Sequence, residues 1–183
     1  MEKTRTIILH YHLFKNAGTS IDKILKANFK EKWLTKEFKG VKDNTEETIR
    51  WINENPEAIA FSSHTMNGSM PTIEGVNIIS IMMFRNPVKR SISAYKFERT
   101  QKADTWGAML AKTLSFEEYV IARLQKPNDT QCRNFQTSRL ATHIIQNNIQ
   151  KNSVAKALQQ LSIVGLVEEF EESVHRMKKV ISQ

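Results

Sequence analysis

Two short apolar runs each break off at a polar turn and restart as a helix, and that repeated shape limits the folds open to this chain more than any other feature. The first, residues 7–13, holds Ile7, Ile8, Leu9, Tyr11 and Leu13 and gives way to the small turn Asn16, Ala17, Gly18. An apolar run of this length suits a strand covered on both faces, as in a parallel sheet. Beyond it Ile21, Ile24, Leu25 and Phe29 recur at helical spacing, with Thr19 or Ser20 placed to cap that helix. The second run, residues 77–84 (NIISIMMF), leads into Asn86 and Pro87 at the cap and first turn of another helix, whose buried stripe reads as Val88, Ile92 and Tyr95.

The remaining segments alternate in the same way. A helix is expected over residues 46–53, with Ile49 and Ile52 inward and Pro56 ending it, then a strand over 58–62 that carries His64 just past its end. Ser115 and Glu118 make a capping box before FEEYVIARL, and residues 134–146 read as helix. A fourth strand over 161–167 precedes a helix with Phe170, Val174, Met177 and Ile181 on its inner face. Strands alternating with helices predict an α/β fold, a mostly parallel central sheet flanked by helices, with ligands bound beyond the carboxyl ends of the strands. Lys15, His64 and Arg85 come from three such ends.

At 183 residues the chain supports one hydrophobic core, so a single domain spanning 1–183 is expected. Its 27 Lys and Arg against 19 Asp and Glu leave a net charge of +8, which favours anionic partners such as nucleotides, sulfated sugars, nucleic acid or a membrane surface. The lone Cys132 excludes an internal disulfide and any cysteine-based metal cluster, and suits a reducing compartment. With no apolar stretch of membrane-spanning length and no signal-peptide pattern, a soluble cytoplasmic protein is expected. His10 and His12 share one side of the first strand, but no Cys, Asp or Glu nearby completes a ligand set, so they read as structural and no metal is expected. His143 and His175 fall in helices, and Trp33, Trp51 and Trp106 are assigned no role.

Two segments carry the chemistry. FKNAGTS, residues 14–20, sets Gly18 and two hydroxyls at a helix start, where unpaired backbone N–H groups attract anions, and Lys15 adds a mobile charge. It lacks the GK[ST] ending of a Walker A loop. FRNPVKRSISAY, residues 84–95, sets Arg85 at a strand end and Ser93 eight residues on, with Lys89 one turn before Ser93 on the same face. A guanidinium fork with a hydroxyl suits a phosphate monoester.

The first segment resembles the 5′-phosphosulfate loop of sulfotransferases that use phosphoadenosine phosphosulfate (PAPS), closest to the carbohydrate-modifying heparan and chondroitin type, whose version reads near HIPKTAGTS. Here Phe14 stands for the usual Pro and Asn16 for the common Thr. The second is similar to that family's 3′-phosphate motif RDPVxRxxSxY, with Asn86 for Asp, and weaker echoes at 134–140 and 164–174 extend the likeness over about residues 7–176.

The resemblance implies a three-layer, P-loop-like fold and transfer of a sulfuryl group from PAPS to a hydroxyl, on a carbohydrate, releasing 3′-phosphoadenosine 5′-phosphate (PAP) without a metal or nucleic acid. It places Lys15, Asn16, Ala17, Gly18, Thr19 and Ser20 around the 5′ end, Arg85 and Ser93 on the 3′-phosphate, Lys15 on the leaving group and His64 as acceptor base. Family members commonly continue further, so the chain is either a compact member or lacks C-terminal segments. Two other classes stay open: a P-loop small-molecule kinase, against which the missing Walker A lysine counts, and a non-catalytic polyanion-binding module, which would show no preference for a 3′-phosphate.

Overall fold

A computed structural model describes residues 4–39, 43–141 and 151–182. Its centre is a five-stranded, all-parallel sheet built from β1 (Arg5–Tyr11), β2 (Trp33–Thr35), β3 (Ala60–Ser63), β4 (Val76–Phe84) and β5 (Ile163–Leu166), in the order β2-β3-β1-β4-β5. The short edge strand β2 is the one the sequence reading lacks. Three residues lying between a helix and a lysine-rich stretch carry too little apolar pattern to register.

β1 occupies the middle because it is apolar on both faces. It pairs with β3 from Ile8 opposite Ala60 and with β4 along its whole length from Arg5 opposite Val76. Ile7, Leu9 and Tyr11 face one core with Phe61, Met82 and the helix α2 (Thr45–Asn53), which contributes Trp51 and Ile52. Ile8 faces the other with Ala60, Ile81 and Met83, covered by Ile21 and Leu25 of α1 (Gly18–Phe29) and by Met177. Each such side chain fully removed from water contributes about 1.5–3 kcal/mol before entropy is set against it. Strand alternation therefore sends neighbouring residues to opposite cores and makes a register slip in β1 costly.

Three helices follow β4: α3 (Pro87–Thr100), α4 (Trp106–Thr113) and α5 (Phe116–Gln125). Asn86 caps α3 by accepting from the Val88 and Lys89 N–H groups, and Ser115 with Glu118 closes the capping box of α5, both as expected. The inner face of α3 keeps Tyr95 of the expected stripe but not Val88, which is 63% exposed, and Arg90, Ala94 and Glu98 are buried beside Tyr95. The cause is a buried ion group, in which Arg123 donates to both Glu98 and Asp129. Hydropathy spacing assigns charges outward and so mistakes this face.

The chain continues through α6 (Phe135–Ala141), α7 (Lys151–Gln160), β5 and α8 (Phe170–Ile181). The end of the helix expected over 134–146, with His143, lies outside the described residues. Met177 of α8 is buried, while Phe170, Val174 and Ile181 pack partly buried on the same core. Trp51 is core, Trp33 lies on β2, and Trp106 starts α4 beneath Lys126 at 3.9 Å. No helix among the described residues is long and apolar enough to cross a membrane.

Candidate anion-binding site at the strand ends

Lys15 (φ 63°) and Ala17 (φ 59°), just past β1, both adopt the left-handed conformation that side-chain-bearing residues avoid at a cost of about 1–2 kcal/mol each. Between them Asn16 is fully buried, and its Nδ2 donates to Met83 O at 2.8 Å and to Gln136 Oε1 at 2.7 Å. The amide that departs from the family's pattern is thus what holds the loop. Phe14, the other departure, packs edge-on against Phe97 at 5.4 Å.

The turn delivers a helix start without a side-chain cap. Ala17 occupies the cap position, which corrects the expectation that Thr19 or Ser20 would fill it; both lie in the first turn, exposed. Gly18 is required for space: a Cβ there would run into the His12 ring. The uncapped N-terminus leaves the N–H groups of Gly18 and Thr19 available to an anion.

Arg85 leaves the end of β4 and donates from Nη1 to Lys15 O at 3.2 Å, so the two strand ends touch. One cavity of about 310 Å³ takes in Lys15, Ala17, Gly18 and Thr19 from the first loop with Arg85 and Ser93 from the second. That volume is at the small end for a ligand site. His12, Phe14, His64, Phe97 and Val167 complete the wall, and no carboxylate is among its described lining residues. The Asn16 side chain is turned into the protein, while neither Ser20 nor Lys89 lines the cavity.

The electrostatics of the cavity favour an anion. Burial, then the nearby Arg85 charge, lowers the Lys15 amine below its ordinary value. Lys15 Nζ rests over the Phe97 ring at 4.7 Å, and Arg85 Nε is buried without a hydrogen-bond partner. Two desolvated cations facing each other are unfavourable until a negative group arrives between them.

His64 lies just past β3, its ring 3.7 Å from that of His12 between centroids. Its Nδ1 is 2.7 Å from Glu37 Oε1. Burial works against the Glu37 carboxylate, but hydrogen bonds from His64 and Thr65 outweigh it and hold the carboxyl below its ordinary value. Behind this pair, Asp22 of α1 lies 2.8 Å from His10 Nδ1 and 2.7 Å from His12 Nδ1. The sequence shows no carboxylate near the two histidines, and the fold supplies one ten residues beyond His12. Burial would raise the Asp22 carboxyl; the two histidines hold it well below the usual range instead. The three groups offer ligand atoms within 4.8 Å of one another; both Nδ1 atoms face the carboxylate, and His10 Nε2 is buried without a hydrogen-bond partner.

Sequence reasoning missed Glu37 and Phe97, and reached Gln136 only as part of the 134–140 echo, without a role. Phe97 had a signal, standing one helical turn beyond Ser93, whereas Glu37 and Gln136 reach the site only through tertiary packing.

Residues 2–162 match the sulfotransferase family. An uncharacterized protein of Archaeoglobus fulgidus is 37% identical over 189 residues, an alignment covering 98% of this chain and 74% of that one. No solved structure matches.

Proposed function

The chain belongs to the sulfotransferase family, and from that membership we propose that it moves a sulfuryl group from PAPS to a hydroxyl, on a carbohydrate acceptor. The observation that carries this reading is the meeting of Lys15 and Arg85 in one cavity with no carboxylate among its described lining residues, an uncapped helix N-terminus on one side and Ser93 on the other. A nucleotide with phosphates at its 3′ and 5′ ends offers charge to both groups. The orphaned Arg85 Nε supports the fit, since a buried donor without a partner is costly until a ligand accepts from it.

PAPS supplies an activated sulfuryl group on its 5′-phosphate. His64 Nε2 takes the acceptor proton as the acceptor oxygen bonds to sulfur, with Glu37 engaging Nδ1 and orienting the ring. Lys15 and the Gly18 and Thr19 N–H groups neutralise charge gathering on the phosphate oxygen as its bond to sulfur breaks. The carbohydrate acceptor rests on the likeness of the first loop to the carbohydrate-modifying group.

Calorimetric titration tests the donor. PAP is expected to bind more tightly than ATP with magnesium, and Arg85→Ala should weaken PAP by about ten- to a hundredfold, the range of a charge-assisted phosphate contact. Tighter ATP binding would indicate a kinase; binding only to polyanions would indicate a non-catalytic module.

A further inference from the structure

Both anion loops are tied to a single side chain that lies outside them. Gln136, second residue of α6, accepts on Oε1 from Asn16 Nδ2 at 2.7 Å and from the Arg85 N–H at 2.8 Å, and donates from Nε2 to Arg85 O at 2.8 Å. One amide thus bonds to the backbone at the end of β4 and to the side chain that holds the left-handed turn after β1. One turn along α6, Arg139 donates to the carbonyls of His64 at 3.1 Å and Met66 at 2.7 Å. The start of α6 is itself anchored, with Arg90 packed over Phe135 at 4.4 Å.

Such a tie has a physical task. Lys15 and Arg85 repel each other across the cavity, and the turn between β1 and α1 is held in an unfavourable backbone conformation. Arg85 Nη1 to Lys15 O and Asn16 Nδ2 to Met83 O counter that repulsion directly, and the three Gln136 bonds add to them at both loops. These bonds hold the loops together without placing a carboxylate where an anion must enter.

We propose that Gln136 is a positioning residue that fixes the spacing between the two anion loops, so that a ligand with two phosphates is gripped at both ends at once. This rests on the nucleotide reading given above. Once one phosphate is bound, the second contact is intramolecular, and its strength depends on the spacing being set in advance. A ligand with one phosphate uses one loop and is indifferent to the spacing.

The test is calorimetric titration of the wild type and Gln136→Ala with PAP, 5′-AMP and 3′-AMP, alongside thermal melts. The wild type should prefer PAP over either monophosphate. In the variant PAP should weaken by about tenfold or more, the scale of a lost buried amide, while both monophosphates stay within about twofold. A merely structural role would lower the melting temperature and weaken all three ligands in proportion, and that result, or an unchanged PAP affinity, overturns the proposal. Gln136→Met, which fills the space but makes none of the three bonds, decides by the same ratio if the alanine variant does not fold. A wild type without preference for PAP removes the nucleotide reading and the spacing role with it; a preference kept in both variants removes the role of Gln136 alone.

Discussion

The turn after β1 and the turn after β4 stand side by side at the carboxyl end of the sheet and are built on opposite plans. The first leaves its helix uncapped, so backbone N–H groups and a mobile lysine face the cavity. The second spends its helix N-terminus internally, because Asn86 Oδ1 accepts from the Val88 and Lys89 N–H groups at 3.0 and 3.1 Å. Only side chains, Arg85 and Ser93, are left to meet a ligand there. On the proposed function the division is apt: dipoles and a flexible charge suit a phosphate whose charge changes during reaction, and a planar guanidinium suits one that is only recognised.

The sharpest break between the two is in their response to pH. The Lys15 amine is charged below its pKa, which burial and Arg85 place lower than usual. Affinity of the first loop for an anion is therefore present below the lowered Lys15 pKa and is lost as pH rises through it. Titrations at increasing alkaline pH should show PAP weakening by about tenfold or more as one charged contact disappears, with 3′-AMP flat and the fall abolished in Lys15→Arg. A parallel fall of 3′-AMP would show that the two loops do not act separately.

Asn86→Ala should act on stability instead. Losing the cap of α3 is expected to cost about 1 kcal/mol in thermal or denaturant unfolding, with PAP affinity within about twofold of wild type. If affinity falls sharply while stability holds, the N-terminus of α3 belongs to the anion site and the contrast is wrong.

What the sequence reveals follows from how local each feature is. The β1 and β4 runs, the Asn86 cap and the Ser115 and Glu118 box are legible because short-range pattern decides them. Lys15, Arg85 and Ser93 are legible as a pair of loops, and the parallel sheet brings them to one cavity. The inward face of α3 is not, because Arg90 and Glu98 are buried by partners on α5 and on the stretch before α6. Nor are Glu37 against His64, or Asp22 bridging His10 and His12, since each pairing depends on where a separate element packs.

Thr19 and Ser20 give the smallest effect and the finest test of the first loop. Had either capped α1, its replacement by alanine would cost about 1 kcal/mol. With Ala17 at the cap position and both hydroxyls exposed, Thr19→Ala and Ser20→Ala should each shift unfolding by no more than about 0.5 kcal/mol. They should part in binding, because Thr19 lines the cavity and Ser20 does not. Thr19→Ala is expected to weaken 5′-AMP by about threefold, the worth of one modest hydrogen bond, and Ser20→Ala to leave it unchanged. A full cap's loss of stability in Ser20→Ala would mean that the helix start is held by that hydroxyl, leaving fewer backbone donors for an anion and making the first loop resemble the second.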